Sequence, residues 1–311
     1  NLVKVGLGTP EATTTLANVL NIPPEKIGYA GIKDARAVTS QRVSIRSASL
    51  ASVLPTTKPR AVSQLYLNIL STGKGATSIG QLKGNRFTIL IRTPTDTDLS
   101  ATETLSQQLA KDGLPNFYGP QRFGSRLLNP YFGRLLCQGQ PDQAIKLYLT
   151  QPGSFDSPIF QEIRQAAAKS FGLWDKVYEE LSPLAYSFRH ERRLLRALML
   201  SNGNLIQALY SIQDQVRFWV YGYASFLVNR LLSHAYAGSI SIPDPLPLPL
   251  SNTRTADELY ESFLTRHKTT PYRTNLAPYR FLIQKERDIE PWIMPEVHHF
   301  NPHPCGLIIS F

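Results

Sequence analysis

The stretch Gly28-Tyr-Ala-Gly-Ile-Lys-Asp-Ala-Arg-Ala-Val-Thr-Ser-Gln41 carries an acidic residue, Asp34, in a basic loop between two strand-like segments. Residues 27–30 form a short apolar run, which predicts a strand that ends before the loop. Residues 41–46 then alternate, with valine and isoleucine on one face and polar side chains on the other, which predicts a second strand. We therefore expect the Asp34 carboxylate on a tight loop at a strand end.

Three basic residues, Lys33, Arg36 and Arg42, lie close to Asp34 in the sequence. Because nearby cations favour the charged form of a carboxyl group, we expect Asp34 to be ionised. An ionised carboxylate can act as a nucleophile or as a base. The alternative from these residues alone is that Asp34 only caps a turn or a short helix over residues 35–39.

The composition indicates a folded protein with a polyanionic partner. The chain has 311 residues, and 42% of them are hydrophobic, which is enough for a core. Lysine and arginine number 33 against 23 acidic residues, so the net charge is +10 and the isoelectric point is about 9.6. Positive potential concentrates phosphates, which favours a polyanionic partner over the alternative of a basic protein without a nucleic-acid role.

Cysteine content and hydropathy limit the surroundings of the chain. Cys137 and Cys305 are too few for a disulfide framework, and they favour the cytoplasm or another reducing intracellular compartment. The longest apolar run, residues 219–228, is too short for a membrane span, and no secretory signal is visible, so we expect no membrane partner. The start at Asn1 leads us to expect a fragment of a longer gene product. The sequence indicates no oligomeric state.

Helix and strand signals alternate in the first third of the chain. Residues 9–11 predict a helix start with Thr9 as the N-cap, and this helix should run to about Leu20. The other elements predicted in this part are strands at 65–70 and 85–92 and a helix at 100–111 that ends at Gly113.

From residue 142 to residue 234 the periodicity is mostly helical. One apolar stripe comprises Ile206, Leu209, Ile212, Val216, Trp219 and Tyr223. Another helix turns Leu194, Leu195 and Leu198 inward. Residues 243–249 are proline-rich and extended, and residues 306–311 read as a final strand. The order of elements predicts an α+β fold with a mostly helical insertion.

We expect neither a cofactor nor a metal. Gly6 and Gly8 lack the third glycine and the preceding strand of a dinucleotide loop, and residues 73–78 lack the spacing of a phosphate loop, so no nucleotide cofactor is expected. Four potential zinc ligands lie near the end of the chain: His298, His299, His303 and Cys305. Neighbouring prolines hold that backbone extended and no second ligand pair is present, so we expect a polar surface loop there.

A second motif, Leu114-Pro-Asn-Phe-Tyr-Gly-Pro-Gln-Arg-Phe-Gly124, places two aromatic rings, an amide and an arginine in a glycine-bounded loop. A flat ring can stack on an unstacked base, and an amide can read the edge of that base. A packed aromatic turn is the alternative reading of the same residues.

Residues 30–41 and residues 116–124 both resemble signature motifs of the TruD family of tRNA pseudouridine synthases, in the order and at the spacing of that family. Between them, residues 80–89 resemble the Leu-Lys-Gly-Asn-x-Phe strand of the family. Weaker resemblances continue along the chain, to helices of the family's inserted TRUD domain at 191–198 and 226–232 and to the return to the catalytic domain at 279–292.

This resemblance implies an α+β fold, with a mainly antiparallel pseudouridine synthase catalytic domain at residues 1–140 and 278–311. It also implies a largely helical inserted TRUD domain at residues 141–277. The implied enzyme is an isomerase that breaks the bond between ribose C1′ and uracil N1, turns the base, and joins C1′ to C5. Its substrate would be tRNA or another structured RNA, at position 13 of tRNA by family analogy, without cofactor or metal.

The resemblance assigns the catalytic carboxylate to Asp34 and contacts with the substrate to Asn116 and Tyr118. The aromatic residue that ends the family's last strand and lines the base pocket corresponds to Phe311. Asp34 would act at the ribose, either by attacking C1′ or by removing the C2′ proton, and the sequence leaves both routes open. The basic residues expected to hold phosphates or the Asp34 charge are Lys33, Arg36, Arg42 and Arg122.

The chain departs from the family pattern in three places. A family strand with a lysine and a phenylalanine that serve the site would precede Asn1, and a closing segment would follow Phe311, so we expect part of the site outside this chain. Ala224 and Ser225 stand where relatives usually carry Gln-Ser. These departures leave a second reading, a non-catalytic RNA-binding or RNA-chaperone protein on the same scaffold. A basic hydrolase using Asp34 would need a second carboxylate or histidine, which neither motif has nearby.

Overall fold

The computed structural model describes residues 1–46, 60–62, 64–68, 73–93, 100–251, 253–282, 288–294, 299–303 and 306–310. The chain divides into two compact units, which are residues 1–95 with 298–311 (the first unit) and residues 96–297 (the second unit). The limits of these units differ from residues 141 and 277, which are the boundaries expected for an inserted domain. That domain assignment stays a prediction.

In chain order, the described strands are β1 (Leu2–Val5), β2 (Ile27–Tyr29), β3 (Val38–Gln41), β4 (Val43–Ile45), β5 (Arg60–Val62), β6 (Leu65–Leu67), β7 (Thr88–Arg92), β8 (Leu114–Pro115), β9 (Leu246–Pro247), β10 (Asp288–Ile289), β11 (Trp292–Ile293), β12 (His299–His303) and β13 (Gly306–Ser310). The first unit contains a sheet in the order β3-β1-β6-β5, a pair β2-β4 and a sheet in the order β12-β13-β7. The second unit contains the pairs β8-β11 and β9-β10. Every described pairing is antiparallel, as predicted.

The described helices are α1 (Thr9–Leu20), α2 (Ser100–Asp112), α3 (Asn129–Cys137), α4 (Pro141–Thr150), α5 (Pro158–Lys169), α6 (Trp174–Glu180), α7 (Arg189–Leu200), α8 (Leu205–Ser211), α9 (Gln213–Tyr236), α10 (Arg254–Arg266) and α11 (Tyr272–Leu276). Only α1 belongs to the first unit, so the prediction of a strand-rich start and a helical middle is confirmed for the described residues. No described helix is long and apolar enough to cross a membrane.

Helix α1 covers the core of the first unit with its apolar face. The buried side chains of that core are Leu2, Ala12, Leu16, Ala17, Leu20, Ile27 and Leu65. The predicted bounds of the helix are confirmed, but the prediction that Thr9 is the N-cap is wrong. Gly8 is the N-cap residue, and the Thr9 hydroxyl instead accepts a hydrogen bond from the backbone of Lys33. Asn21 ends the helix in the left-handed conformation, with φ 51°.

The strand predicted at residues 41–46 is divided in the structure. β3 ends at Gln41 and pairs with β1, whereas β4 begins at Val43 and pairs with β2. The break at Arg42 lets one continuous run serve two sheets. Of the predicted strand at 85–92, residues 88–92 form β7, and residues 85–87 are not strand. Of the predicted strand at 65–70, residues 65–67 form β6, and residues 69 and 70 lie outside the described residues.

The predicted apolar stripe between residues 206 and 223 forms the centre of the second unit, although α8 ends at Ser211 and α9 begins at Gln213. Five members of the stripe are at most 3% exposed, whereas Ile206 is 41% exposed. Helix α9 lies very close to α3, because a Cβ on Gly133 would lie 2.2 Å from the carbonyl oxygen of Trp219. The inward orientation predicted for the leucines of α7 is also confirmed.

The last part of the chain is partly a strand where we expected a loop. Residues 299–303 form β12, so the expectation of a polar surface loop is wrong for them, and pairing with β13 explains the extended backbone. The final strand is confirmed as β13 up to Ser310. Phe311, His298 and Cys305 lie outside the described residues.

Candidate active site

The loop that carries Asp34 is attached to β1 through the buried side chain of Lys4. The Lys4 Nζ donates hydrogen bonds to the carbonyl oxygens of Asp34 and Leu7, each at 2.6 Å, and to that of Lys33 at 3.3 Å. The lysine is fully buried; burial lowers its pKa, and the negative charge of Asp34 opposes that shift. These three acceptors fix the loop backbone at the residue expected to be catalytic.

Further hydrogen bonds hold the loop on either side of Asp34. The backbone N–H of Lys33 donates to the Thr9 hydroxyl at 2.8 Å, so the first residue of α1 supports the loop. The N–H of Gly80 donates to the carbonyl of Ala30, also at 2.8 Å. The loop is therefore held by β1, α1 and the segment that precedes β7.

The Asp34 carboxylate itself is exposed and makes no hydrogen bond or ion pair with any described residue. The capping alternative is therefore wrong: residues 35–37 form a bend, β3 follows, and the side chain caps no helix in the described chain. A carboxylate whose backbone is fixed while its oxygens stay accessible is preorganised to meet a substrate atom.

The basic residues near Asp34 occupy different positions. The Lys33 ammonium donates to Asn85 Oδ1. This hydrogen bond links the loop of Asp34 to residues 80–89, which resemble the Leu-Lys-Gly-Asn-x-Phe strand of the family. Arg36 lies in the loop and Arg42 lies between β3 and β4, and both are exposed. Their expected roles, holding phosphates or the Asp34 charge, stay predictions.

The second motif begins at the β8-β11 pair. Asn116 follows β8, and its backbone N–H and its side-chain Nδ2 donate to the carbonyls of Pro291 and Glu290, each at 2.8 Å. One N–H of each nitrogen thus attaches this loop to the segment around β11. The Oδ1 atom has no partner among the described residues, so it is the atom available to accept a hydrogen bond from a base.

Tyr118 is held by an asparagine of helix α9. The side chain of Asn229 accepts from the Tyr118 N–H at 2.8 Å and donates to the Tyr118 carbonyl at 2.9 Å. The Arg122 guanidinium lies over the Tyr118 ring, 5.1 Å from its centroid. Partial burial raises the pKa of the Tyr118 hydroxyl, and the charge of Arg122 opposes this. The ring is thus fixed by its backbone and covered on one face by an arginine.

The predicted site residues fall into two groups. The first unit holds Asp34 with Lys33, Arg36 and Arg42, whereas the second unit holds Asn116, Tyr118 and Arg122. Within each unit the structure brings the residues together in one loop or in adjacent loops. That the two groups form one site stays a prediction, and so does the role of Phe311.

The sequence interpretation missed three residues that hold these loops: Lys4, Thr9 and Asn229. Lys4 offered a signal, because it stands at an inward position of β1 next to Leu2, where a lysine is unusual. Asn229 offered a weaker one, an amide among the apolar residues of α9. A threonine at a helix start predicts a cap, and that pattern gave no sign that the Thr9 hydroxyl would bind the loop of Asp34 instead.

Replacing Lys4 with methionine should slow the isomerisation that the family resemblance implies by about 10²-fold, because a displacement of about 1 Å at a reacting group can cost that much. The affinity for RNA should stay the same, since Lys4 is buried and does not reach solvent. Single-turnover rates at saturating RNA measure the first effect, and a filter-binding Kd measures the second. Lys26→Met, which changes an exposed lysine of the same unit, is the control. An unchanged rate in Lys4→Met would show that the three carbonyl contacts do not position Asp34.

The fold of this chain is similar to that of a protein with a solved structure. A crystal structure of a Methanosarcina mazei protein that carries the name tRNA pseudouridine synthase D (TruD) matches 99% of this chain and 82% of its own, with a TM-score of 0.78 and 21% identity. The fold class defined by the sheets and helices is therefore the α+β class of that protein.

The family model described as tRNA pseudouridine synthase D (TruD) matches residues 1–249. The chain belongs to the TruD family. It is 29% identical over 248 residues to a protein of Methanosarcina acetivorans and 27% identical over 277 residues to one of Methanosarcina barkeri, both named "Probable tRNA pseudouridine synthase D". These alignments cover 78% and 86% of this chain but only 54% and 61% of the relatives, so the chain spans little more than half their length.

Proposed function

We propose that this protein isomerises a uridine of tRNA to pseudouridine, at position 13 by family resemblance, with Asp34 as the catalytic carboxylate. The observation that carries the proposal is the loop of Asp34, whose backbone is held by Lys4 and Thr9 while its carboxylate stays accessible. Membership of the TruD family and the net charge of +10 support an RNA substrate.

In the proposed reaction the bond between C1′ and N1 breaks, the base turns, and a bond between C1′ and C5 forms. The proton on C5 leaves to solvent and N1 gains a proton, so the product is an isomer of the substrate. Asp34 acts at the ribose, either by adding to C1′ or by removing the C2′ proton. Both routes need an ionised carboxylate within reach of the sugar.

The target uridine must leave its stack, which costs a few kcal/mol. Stacking on Tyr118, and on Phe311 by resemblance, would offset this by roughly 1–3 kcal/mol per base. Asn116 would accept a hydrogen bond from the base through Oδ1. Lys33, Arg36, Arg42 and Arg122 would hold phosphates or the Asp34 charge.

The proposal includes two further expectations, one on the domain boundaries and one on the cellular compartment. The catalytic domain would comprise residues 1–140 and 278–311, with the inserted TRUD domain at residues 141–277. The protein would work in the cytoplasm or another reducing intracellular compartment, consistent with only two cysteines in the chain.

Release of tritium from a tRNA transcript labelled with [5-³H]uridine tests the proposal, because C5 loses its hydrogen only when C1′ is joined to it. We expect release up to one equivalent per tRNA. Tight, salt-dependent binding of the same transcript without any release would contradict the proposed isomerisation, and it would favour a non-catalytic RNA-binding protein.

A further inference from the structure

The second unit contains a cavity of about 830 Å³, which Tyr118 and Arg122 of the candidate site line together with residues that the proposed reaction does not use. Its lining comes from the loop at residues 118–126, from α3, from the end of α4, from α5, and from the N-terminal parts of α7 and α9. The volume lies in the range of sites that enclose small organic ligands. None of the lining residues belongs to the unit that carries Asp34.

The floor of the cavity is a cluster of buried charges with fixed geometry. Arg164 donates to Glu191 at 2.9 Å, and both residues are at most 6% exposed. Arg126 and Arg164 both donate to the carbonyl oxygen of Tyr148 in the last turn of α4. Burial, and then the charge of Arg164, lower the pKa of Arg126 to about 10, whereas the acidic groups of Glu191 and Asp156 oppose this shift.

The mouth of the cavity adds positive charge that no described acid balances. Arg122 and Arg189 line it and are exposed, and each guanidinium lies over a tyrosine ring, at 5.1 and 4.9 Å from the centroid. With Arg126 and Arg164 there are four arginines against two acids, Asp156 and Glu191, in the lining. The lining thus carries two net positive charges. Arg189 donates to the carbonyl oxygen of Tyr186 at 3.2 Å, and the remaining N–H groups of both exposed guanidinium groups can donate to a phosphate.

Rings and amides complete the lining. Phe218 of α9 is 49% exposed although it lines the cavity, so its ring offers an accessible face. Gln121 and Gln215 line the same space and carry both donors and acceptors. An open aromatic face, amides and exposed arginines are the three elements that bind an unstacked nucleotide by its ring, its edge and its phosphate.

We propose that this cavity binds a second unstacked nucleotide of the RNA, in addition to the uridine that reacts. Its base stacks on Phe218, its edge contacts Gln121 or Gln215, and its phosphate pairs with Arg122 and Arg189. The inference rests on the proposed RNA substrate, and it adds a subsite that selects the RNA by the shape of two extruded nucleotides rather than one.

The test is a set of fluorescein-labelled tRNA transcripts, each with one abasic nucleotide, bound to Asp34→Asn protein so that binding is measured without turnover. Phe218→Ala should weaken binding of the intact transcript by about fivefold or more, the lower end of what stacking of one base contributes. One abasic position, different from the target uridine, should cause the same loss, and combining it with Phe218→Ala should cause no further loss. Tyr236→Ala, which removes another exposed ring of α9 outside the cavity, is the control.

A second variant keeps the test independent of stacking. Arg189→Gln should reduce the slope of log Kd against log salt by about one phosphate contact. Three results would overturn the second subsite. Phe218→Ala could leave binding unchanged, its effect could add to that of every abasic position, or it could be coupled to the target uridine alone. Because the assay reads binding alone, it can succeed while tritium release fails, or fail while release succeeds, so the two proposals are separable.

Discussion

Asp34→Asn is expected to abolish pseudouridine formation, with the single-turnover rate falling by about four orders of magnitude or more, as for loss of a nucleophile or its base in other enzymes. Asparagine keeps the shape of the side chain but can neither add to C1′ nor accept the C2′ proton. The loop should stay in place, because its contacts with Lys4, Thr9 and Gly80 all involve the backbone. Rates at saturating tRNA and a filter-binding Kd measure the two effects separately.

Binding of tRNA should not be lost, since the Asp34 carboxylate makes no hydrogen bond or ion pair with any described residue and the substitution removes no positive charge. Glu25→Gln, which neutralises an exposed acid elsewhere in the first unit, is the matched control and should keep the rate of the unmodified protein. A rate in Asp34→Asn within tenfold of the control would remove Asp34 from the chemistry.

Arg164→Met should destabilise the second unit by about 3–5 kcal/mol, because it leaves a buried carboxylate without its partner. Arg164 and Glu191 are 2.9 Å apart and almost fully buried, and Arg164 also donates to the carbonyls of Tyr148 and Leu149. The guanidinium lies over the ring of Phe188 as well, 4.9 Å from its centroid. Urea unfolding followed by tryptophan fluorescence measures the change in the free energy of unfolding.

Two further variants make this prediction specific. Arg164→Met combined with Glu191→Leu should recover much of the loss, because the unpaired charge is then removed. Arg254→Met breaks an exposed ion pair with Glu258 and should cost less than about 1 kcal/mol. Equal effects of Arg164→Met and Arg254→Met would contradict a structural role for the buried pair.

Local patterns predicted much of the fold because they depend on neighbours in the sequence. The bounds of α1 followed from Pro10 and from the residues that end it. The inward side of α7 followed from the spacing of Leu194, Leu195 and Leu198. The position of Asp34 in a loop between strands also followed from short-range alternation.

The parts that the sequence could not predict depend on residues far apart in the chain. Lys4 meets carbonyls about 30 positions away, and Asn229 meets the backbone of Tyr118 at a separation of 111 residues. Thr9 is a residue type that often caps a helix, but its hydroxyl accepts a hydrogen bond from the backbone of Lys33 instead. The division of one alternating run into β3 and β4 at Arg42 is likewise set by which strands are available as partners.

The most direct test of the central claim is mapping of pseudouridine in tRNA after incubation with the unmodified protein and, in parallel, with Asp34→Asn. Labelling with carbodiimide followed by mass spectrometry identifies the modified nucleotide. We predict one labelled uridine, at position 13, with the unmodified protein and none with Asp34→Asn. The same label with both proteins, or no label with either although both bind the tRNA, would contradict the account.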